Sequence, residues 1–183
     1  MQVSDLKLAG LKLVTPSVFR DERGLFFESY RKELYASLGM DISFVQDNVS
    51  FSCKNTIRGL HFQSTPGQVK LITCLQGEIW DVVVDIRPDS PTFLHWEAVT
   101  LDDQSHNQLF IPIGFAHGFC AMSKSACIQY KVSAPYNPKT EKTIRWNDPE
   151  LNIAWPIKDP ILALRDQDSP FLKEVLDVLD CRS

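Results

Sequence analysis

An all-β sandwich or barrel with short helices at its margins is the fold class this 183-residue sequence predicts, on three observations. From about residue 46 to 146 the chain runs in short apolar stretches rich in Val, Ile, Phe and Trp, cut by Gly, Pro, Asn, Asp and Ser clusters. That composition marks strands and turns. Several stretches alternate at the two-residue period of a strand, which sends successive side chains to opposite faces. Helical spacing of apolar residues is confined to the two ends.

The first helical stretch is 31–38, where Leu34, Tyr35 and Leu38 share one side and Gly39 supplies a C-terminal stop. Residues 56–63, Thr56-Ile57-Arg58-Gly59-Leu60-His61-Phe62-Gln63, follow as a strand with mixed faces. Arg58, Leu60 and Phe62 fall on one face, and Ile57, Gly59, His61 and Gln63 on the other. A strand half-buried in an ordinary core would separate polar from apolar, so this one is read as lining a polar cavity. The runs 69–75, 78–86, 95–101, 108–112, 118–122 and 126–133 are the clearest remaining strands, with turns at Gln76-Gly77 and Pro88-Asp89-Ser90-Pro91. In the run from Ile79 onward, Trp80, Val82, Val84 and Ile86 interleave with Asp81, Val83 and Asp85, which assigns the apolar set to the core. Residues 135–160 hold Pro135, Pro138, Pro149, Pro156 and Pro160, so an ordered loop wrapping the barrel is expected there. Ser169-Pro170 then opens a second helix as N-cap and first-turn proline, with Phe171, Leu172, Val175, Leu176 and Leu179 as packing residues.

The length suits one domain spanning 1–183. With 19 basic and 23 acidic residues the net charge is -4, and no block of like charges forms a nucleic-acid or membrane footprint. No segment approaches the roughly 18 apolar residues of a membrane span, and the first twenty residues lack a basic stretch followed by a long apolar run. A soluble cytoplasmic protein is expected. The five cysteines, Cys53, Cys74, Cys120, Cys127 and Cys181, form no CxxC pair, and four sit among apolar neighbours. They read as buried free thiols of a reducing compartment.

Candidate chemistry centres on histidine. His61 lies in the mixed-face strand. His117 lies in Ile111-Pro112-Ile113-Gly114-Phe115-Ala116-His117-Gly118-Phe119, between two glycines and just before a strand, so it is expected at a strand mouth. His95 and His106 stand beside polar turn residues and read as surface. Metal-binding barrels usually present two histidines two residues apart, a nearby glutamate and a further histidine on a distant strand. Here Gln63 follows His61, so a metal could draw only on His61, His117 and scattered carboxylates, and none is expected. Neither a Gly-x-Ser-x-Gly turn, a Gly-x-Gly-x-x-Gly fingerprint nor a P-loop is present. Acid/base chemistry by His61, with Tyr130 of Gln129-Tyr130-Lys131 as a second proton carrier, remains. A tyrosine in a strand is as readily a packed aromatic with a solvated hydroxyl.

A series of motifs in order then adds up. They are Asp21-Glu22-Arg23-Gly24-Leu25-Phe26-Phe27-Glu28-Ser29, Phe44-Val45-Gln46-Asp47-Asn48, Arg58-Gly59-Leu60-His61-Phe62-Gln63, Lys70-Leu71, Pro91-Thr92-Phe93, the segment from Pro112 to Phe119, Tyr130-Lys131, Ile144-Arg145-Trp146-Asn147-Asp148-Pro149 and Trp155-Pro156. Together they resemble the dTDP-4-dehydrorhamnose 3,5-epimerase family over nearly the whole chain. The resemblance implies a metal-free, cofactor-free jelly-roll barrel of the cupin superfamily, a homodimer with exchanged N-terminal strands, and a dTDP-sugar substrate. The implied reaction inverts carbons 3 and 5 of dTDP-4-dehydro-6-deoxy-D-glucose. Both flank the ketone at carbon 4, so loss of either proton gives an enolate that protein groups can stabilise.

Carried over by motif, His61 is the implied general base, Asp166 of Leu164-Arg165-Asp166 its carboxylate partner, Lys70 the cation beside the enolate oxygen, and Tyr130 the acid on the opposite face. Arg23 and Arg58 are implied for the diphosphate, with Gln46, Asp47, Asn48 and Arg165 adding contacts. Phe26, Glu28, Tyr136 and Glu141 are implied around the thymine, and His117 against the sugar. Arg23 lies in the segment the family exchanges and would serve the neighbouring subunit. Three departures stand out: Val69 where glycine is common, a short loop over 64–68, and Arg165 where lysine is frequent. The alternatives kept open are a 3-epimerase, a metal-dependent cupin and a non-catalytic sugar-nucleotide-binding barrel. Arg58 and His61 fall on opposite faces of a regular strand, so a shared pocket requires a bulge near Gly59 or a strand that begins after Arg58.

Overall fold

The structure, a computed structural model, describes residues 1–176. Its strands are β1 (Gln2–Asp5), β2 (Lys12–Thr15), β3 (Val18–Asp21), β4 (Gly24–Phe27), β5 (Gln46–Cys53), β6 (Ile57–Gln63), β7 (Lys70–Gln76), β8 (Glu78–Asp85), β9 (Trp96–Asp102), β10 (Gln108–Ile111), β11 (Phe115–Ala121), β12 (Ser125–Val132) and β13 (Glu141–Thr143). Helix α1 (Lys32–Ser37) follows β4, and helix α2 (Leu164–Gln167) and a 3-10 turn (Leu172–Glu174) come late in the chain. A six-stranded sheet runs β1-β2-β10-β7-β12-β5, a five-stranded sheet runs β13-β6-β11-β8-β9, and β3-β4 stands apart as a hairpin. All these pairings are antiparallel.

The two sheets share a core because alternation gives each one an apolar inner face. Ile72, Leu109 and Ile128 of the larger sheet pack with Ile79, Val83, Leu101 and Phe119 of the smaller. Each such side chain contributes about 1.5–3 kcal/mol on burial. The outer faces are covered too. Tyr35 and Met40 of the α1 region close over Val14, Leu71 and Phe110, while Ile144, Leu151 and Leu172 close over Leu60, Val82 and Val84. Two antiparallel sheets packed face to face, with short helices outside, form the jelly-roll class expected. Among the described residues no helix is long and apolar enough to cross a membrane.

Several sequence expectations are corrected. Asp81 and Asp85 of β8 are 0% exposed, because their sheet is covered on both sides and β8 has no solvent face. Asp85 is satisfied by Arg87, Ser90 and Thr92. His106 is not on the surface; it is buried and stacked on Phe27 of β4 with ring centroids 4.8 Å apart. Cys53 is exposed, while Cys74, Cys120 and Cys127 are buried; Cys181 lies outside the described residues. Ser169 caps no helix, since its hydroxyl donates to the Arg165 carbonyl. The Leu172 amide is received instead by Asp148 at 2.7 Å. Leu179, the last residue of the expected helix, lies outside the described residues. The proline-rich stretch is ordered but not purely a loop, because β13 within it joins β6.

Candidate active site

The strand β6 positions the first two functional groups, and it does so by breaking its own alternation. Its partners on β11 are His61↔His117 and Arg58↔Phe119, so β6 uses three residue steps where β11 uses two. The extra residue is a bulge at Gly59 and Leu60. Gly59 has φ +119, and a Cβ there would stand 2.7 Å from both Gly118 Cα and the His117 carbonyl oxygen. Only glycine on β6, facing glycine on β11, allows this approach. The bulge sends Arg58 and His61 to the same side, where both line a cavity of about 360 Å³. Leu60 and Phe62 go to the apolar cluster on the other side.

His61 Nε2 lies 2.7 Å from Asp166 Oδ1. Asp166 comes from α2 and also receives the Gly59 amide at 3.3 Å, so one carboxylate ties both the histidine and the bulge. Burial works against the charge on Asp166. Its bonds from His61 and Gly59, together with the nearby Arg165, outweigh that and hold it below the usual carboxylate range. Tyr130 reaches the same cavity from β12, on the opposite sheet. Burial first, then the Glu141 charge, push its hydroxyl pKa upward against the pull of Arg58. Lys70, the first residue of β7, is 8% exposed, and its Nζ donates to the His61 carbonyl at 3.4 Å. Burial lowers its ammonium pKa to about 8, opposed by Glu141 and Asp81.

His117 is not at a strand mouth. It lies inside β11, which already begins at Phe115, and its Nε2 stands 2.9 and 3.0 Å from the two oxygens of Asp81. Toward the cavity mouth, Gln46 donates to Asn48 at 2.8 Å and receives the Tyr136 amide at 3.0 Å. Arg58 is braced by the Ser52 hydroxyl and the Phe51 carbonyl. Arg165 is ion-paired with Glu141. Of the residues implied at sequence level, His61, Lys70, Tyr130, Gln46, Asn48, Arg58, His117, Tyr136, Glu141 and Arg165 therefore line one cavity, with Asp166 behind His61.

Four do not come to it. Asp47 alternates to the other face of β5 and pairs with Lys131 at 2.7 Å. Arg23 sits in the β3–β4 hairpin with its side chain 85% exposed, paired with Asp21. Phe26 is exposed on the same hairpin, and Glu28 pairs with Arg31 just beyond it. Two groups were missed. Asp81 shares the inward face of β8 with Asp85, and two carboxylates interleaved in so apolar a strand were a readable signal. Ser50 lines the cavity with a buried hydroxyl that has no hydrogen-bond partner among the described residues, which nothing in its neighbours announced. Among the described residues, no three His, Cys, Asp or Glu side chains converge as a metal site.

The family model described as dTDP-4-dehydrorhamnose 3,5-epimerase matches residues 5–174. The chain belongs to that family. It is accordingly an enzyme of the isomerase class. The dTDP-4-dehydrorhamnose 3,5-epimerase of Salmonella typhimurium is 47% identical over 167 residues, 90% of this chain and 91% of the relative. A Neisseria gonorrhoeae relative of the same name is 44% identical, and the chain spans only 51% of its length. The dTDP-4-dehydrorhamnose 3-epimerase of Streptomyces niveus is 40% identical, covering 97% of this chain and 86% of the relative. Among solved structures, a dTDP-6-deoxy-D-glucose-3,5-epimerase from Legionella pneumophila in complex with dTDP-4-keto-L-rhamnose superposes with TM-score 0.93 at 40% identity. That likeness covers 97% of this chain and 96% of the neighbour, so the cupin-type jelly roll of the family is the fold here.

Proposed function

We propose that the protein inverts carbons 3 and 5 of dTDP-4-dehydro-6-deoxy-D-glucose, giving dTDP-4-dehydro-L-rhamnose, by proton transfer through an enolate. The observation that carries this reading is the placement of His61 and Tyr130 on opposing sheets around one cavity, with the Lys70 ammonium beside His61. Inversion requires a proton to leave one face of a carbon and return on the other, and a single residue cannot stand on both sides. With Nε2 engaged by Asp166, His61 uses Nδ1 as the base, and the carboxylate stabilises the imidazolium that forms. Lys70, itself buried, meets the enolate oxygen, where a fixed cation stabilises the developing charge. Tyr130, kept protonated by its buried setting, returns the proton. Arg58 offers a planar donor fork to the diphosphate, and Gln46, Asn48, Tyr136 and the Arg165–Glu141 pair border the nucleoside.

Incubation with the 4-keto sugar nucleotide in deuterated water tests the reading, since each inversion delivers a solvent deuteron. Label at both carbons is expected. Label at carbon 3 alone would establish the second reading, a 3-epimerase, the activity for which the 40% identical Streptomyces niveus relative is named. Absence of label would reduce the chain to a sugar-nucleotide-binding barrel.

Arg23, Phe26 and Glu28 enter this proposal through a partner. The hairpin that bears Arg23 and Phe26 exposes Phe19 and Phe26 at 65% and 69%, and among the described residues none of its side chains lines the cavity around His61. In a homodimer with exchanged N-terminal strands it lies over the neighbouring cavity, where Arg23 meets phosphate and Phe26 the base.

A further inference from the structure

We propose that His106 is a positioning residue for nucleotide binding in the neighbouring subunit: its ring, stacked on Phe27, fixes the direction in which the β3–β4 hairpin carries Arg23 and Phe26. The inference rests on the epimerase reading and on the exchanged dimer proposed with it. It starts from how the hairpin is held. Among the described residues β3 and β4 pair only with each other, so no third strand sets their direction. The turn between β9 and β10 does so instead. At the entry to the hairpin, Thr15 Oγ1 donates to the Asn107 side chain at 2.9 Å. Along β3, Arg20 donates to the Gln104 carbonyl at 3.4 Å. At the exit, Phe27 lies on His106 with ring centroids 4.8 Å apart and planes 24° apart, and the Ser29 carbonyl accepts from Gln108 Nε2 at 2.9 Å.

The turn is itself firmly held. The Asp102 carboxylate accepts the Gln104 and Ser105 amides at 2.8 and 2.6 Å, and its carbonyl accepts the His106 amide at 3.2 Å. Asp103 accepts the Gly77 amide at 2.6 Å, which ties the turn to the one between β7 and β8. His106 sits in this frame at φ 55°, a conformation that histidine and asparagine enter more readily than most residues. It is 4% exposed, and its Nε2 is buried with no hydrogen-bond partner among the described residues. What this ring contributes is therefore its face, laid against Phe27. Arg23 stands at the far end of β4, about 13 Å from Phe27 at the rise of a strand. A tilt of about 15° at the stack carries the guanidinium about 3 Å, enough to take it off a phosphate oxygen. Without the stack the hairpin points in more directions, and apparent affinity falls by the fraction that still points correctly.

His106→Asn tests this, because asparagine tolerates the backbone conformation while removing the ring. Calorimetric titration with dTDP is expected to show binding weakened about 3- to 10-fold, the size of one lost aromatic stack. KM for the 4-keto sugar nucleotide rises by the same factor with kcat kept, since saturating substrate selects the hairpins that point correctly. Phe27→Leu should behave alike, and Phe27→Tyr, which keeps the ring, should bind as the wild type does. In an Arg23→Ala/Phe26→Ala background, where the hairpin has no ligand contact left to position, His106→Asn should weaken dTDP binding no further. Unchanged affinity in His106→Asn, or an equal loss in that background, overturns the proposal. If His106→Asn does not fold, the Phe27 pair decides: equal affinities for the leucine and tyrosine variants overturn it. Wild-type dTDP affinity in Arg23→Ala/Phe26→Ala would sink the exchanged dimer and this inference with it. The expected dTDP affinities in a protein with no activity on the 4-keto sugar nucleotide would leave the role of His106 standing and sink the epimerase reading instead.

Discussion

Lys70 is a cation held where a hydrocarbon would be more stable. Its ammonium has a pKa of about 8 in the fold against an ordinary 10.5, and burial is the main cause. Between those two values the unfolded chain keeps a proton that the folded chain has released, so stability rises with pH across that window. Below pH 8 the full penalty, about 3 kcal/mol, is present. Lys70→Met, similar in length and uncharged, is therefore expected to stabilise the fold by about 2–3 kcal/mol at pH 7 while lowering kcat about 100-fold or more. Urea denaturation at pH 7 and near pH 10.5 checks the sign: the gain should vanish at the higher pH, and equal stability of both proteins at pH 7 would contradict it. Residue-level chemistry was only partly legible. His61 stood out because its strand mixes polar and apolar residues on both faces, whereas His106 looked exposed among Ser105 and Asn107. Its burial comes from Phe27, a neighbour in space but not in sequence.

Elements were more legible than residues, because alternation needs only the sequence and a two-residue period. The strands from β7 to β12 fall close to their expected bounds, with one instructive difference. β11 begins at Phe115 rather than Gly118, since Gly114 and Gly118 suggested a loosened segment where Gly118 in fact permits close strand approach. Glycine has both meanings, and only the opposing strand decides between them. The bulge in β6 was legible in a different way, as a conflict between strict alternation and a pocket shared by Arg58 and His61. Gly59 resolves it, which makes a sharp prediction. Gly59→Ala meets both a positive φ and two backbone atoms at 2.7 Å, so a loss of about 2–4 kcal/mol is expected, with kcat/KM falling as the bulge reforms elsewhere. Gly24→Ala has φ +128 but nothing within 4 Å, and should cost only about 1 kcal/mol. Comparable midpoints in urea for the two variants would show that the strand contact at Gly59 is not the constraint.

At the scale of the whole molecule, the hairpin residues Arg23 and Phe26, and Glu28 just beyond them, stand off the cavity to which the proposed reaction assigns them. Their distance from the cavity has no local remedy, because the β3–β4 hairpin pairs only with itself and leaves Phe19, Leu25 and Phe26 exposed. No reading of periodicity could have placed it, since its destination in the proposed dimer is set by a second chain. If exchange occurs, a site takes His61 from one chain and Arg23 from the other. His61→Ala and Arg23→Ala are then each strongly impaired alone, for different reasons: loss of the base lowers kcat, and loss of the guanidinium weakens nucleotide binding. Unfolded together in equal amounts and refolded, half of the dimers carry one chain of each kind. Every such dimer contains one site with both defects and one with neither. The mixture should therefore recover about a quarter of wild-type activity, with wild-type KM, because the intact sites are whole. Activity that stays at the average of the two variants would mean that each chain builds its own site, and that Arg23 acts nowhere near the diphosphate.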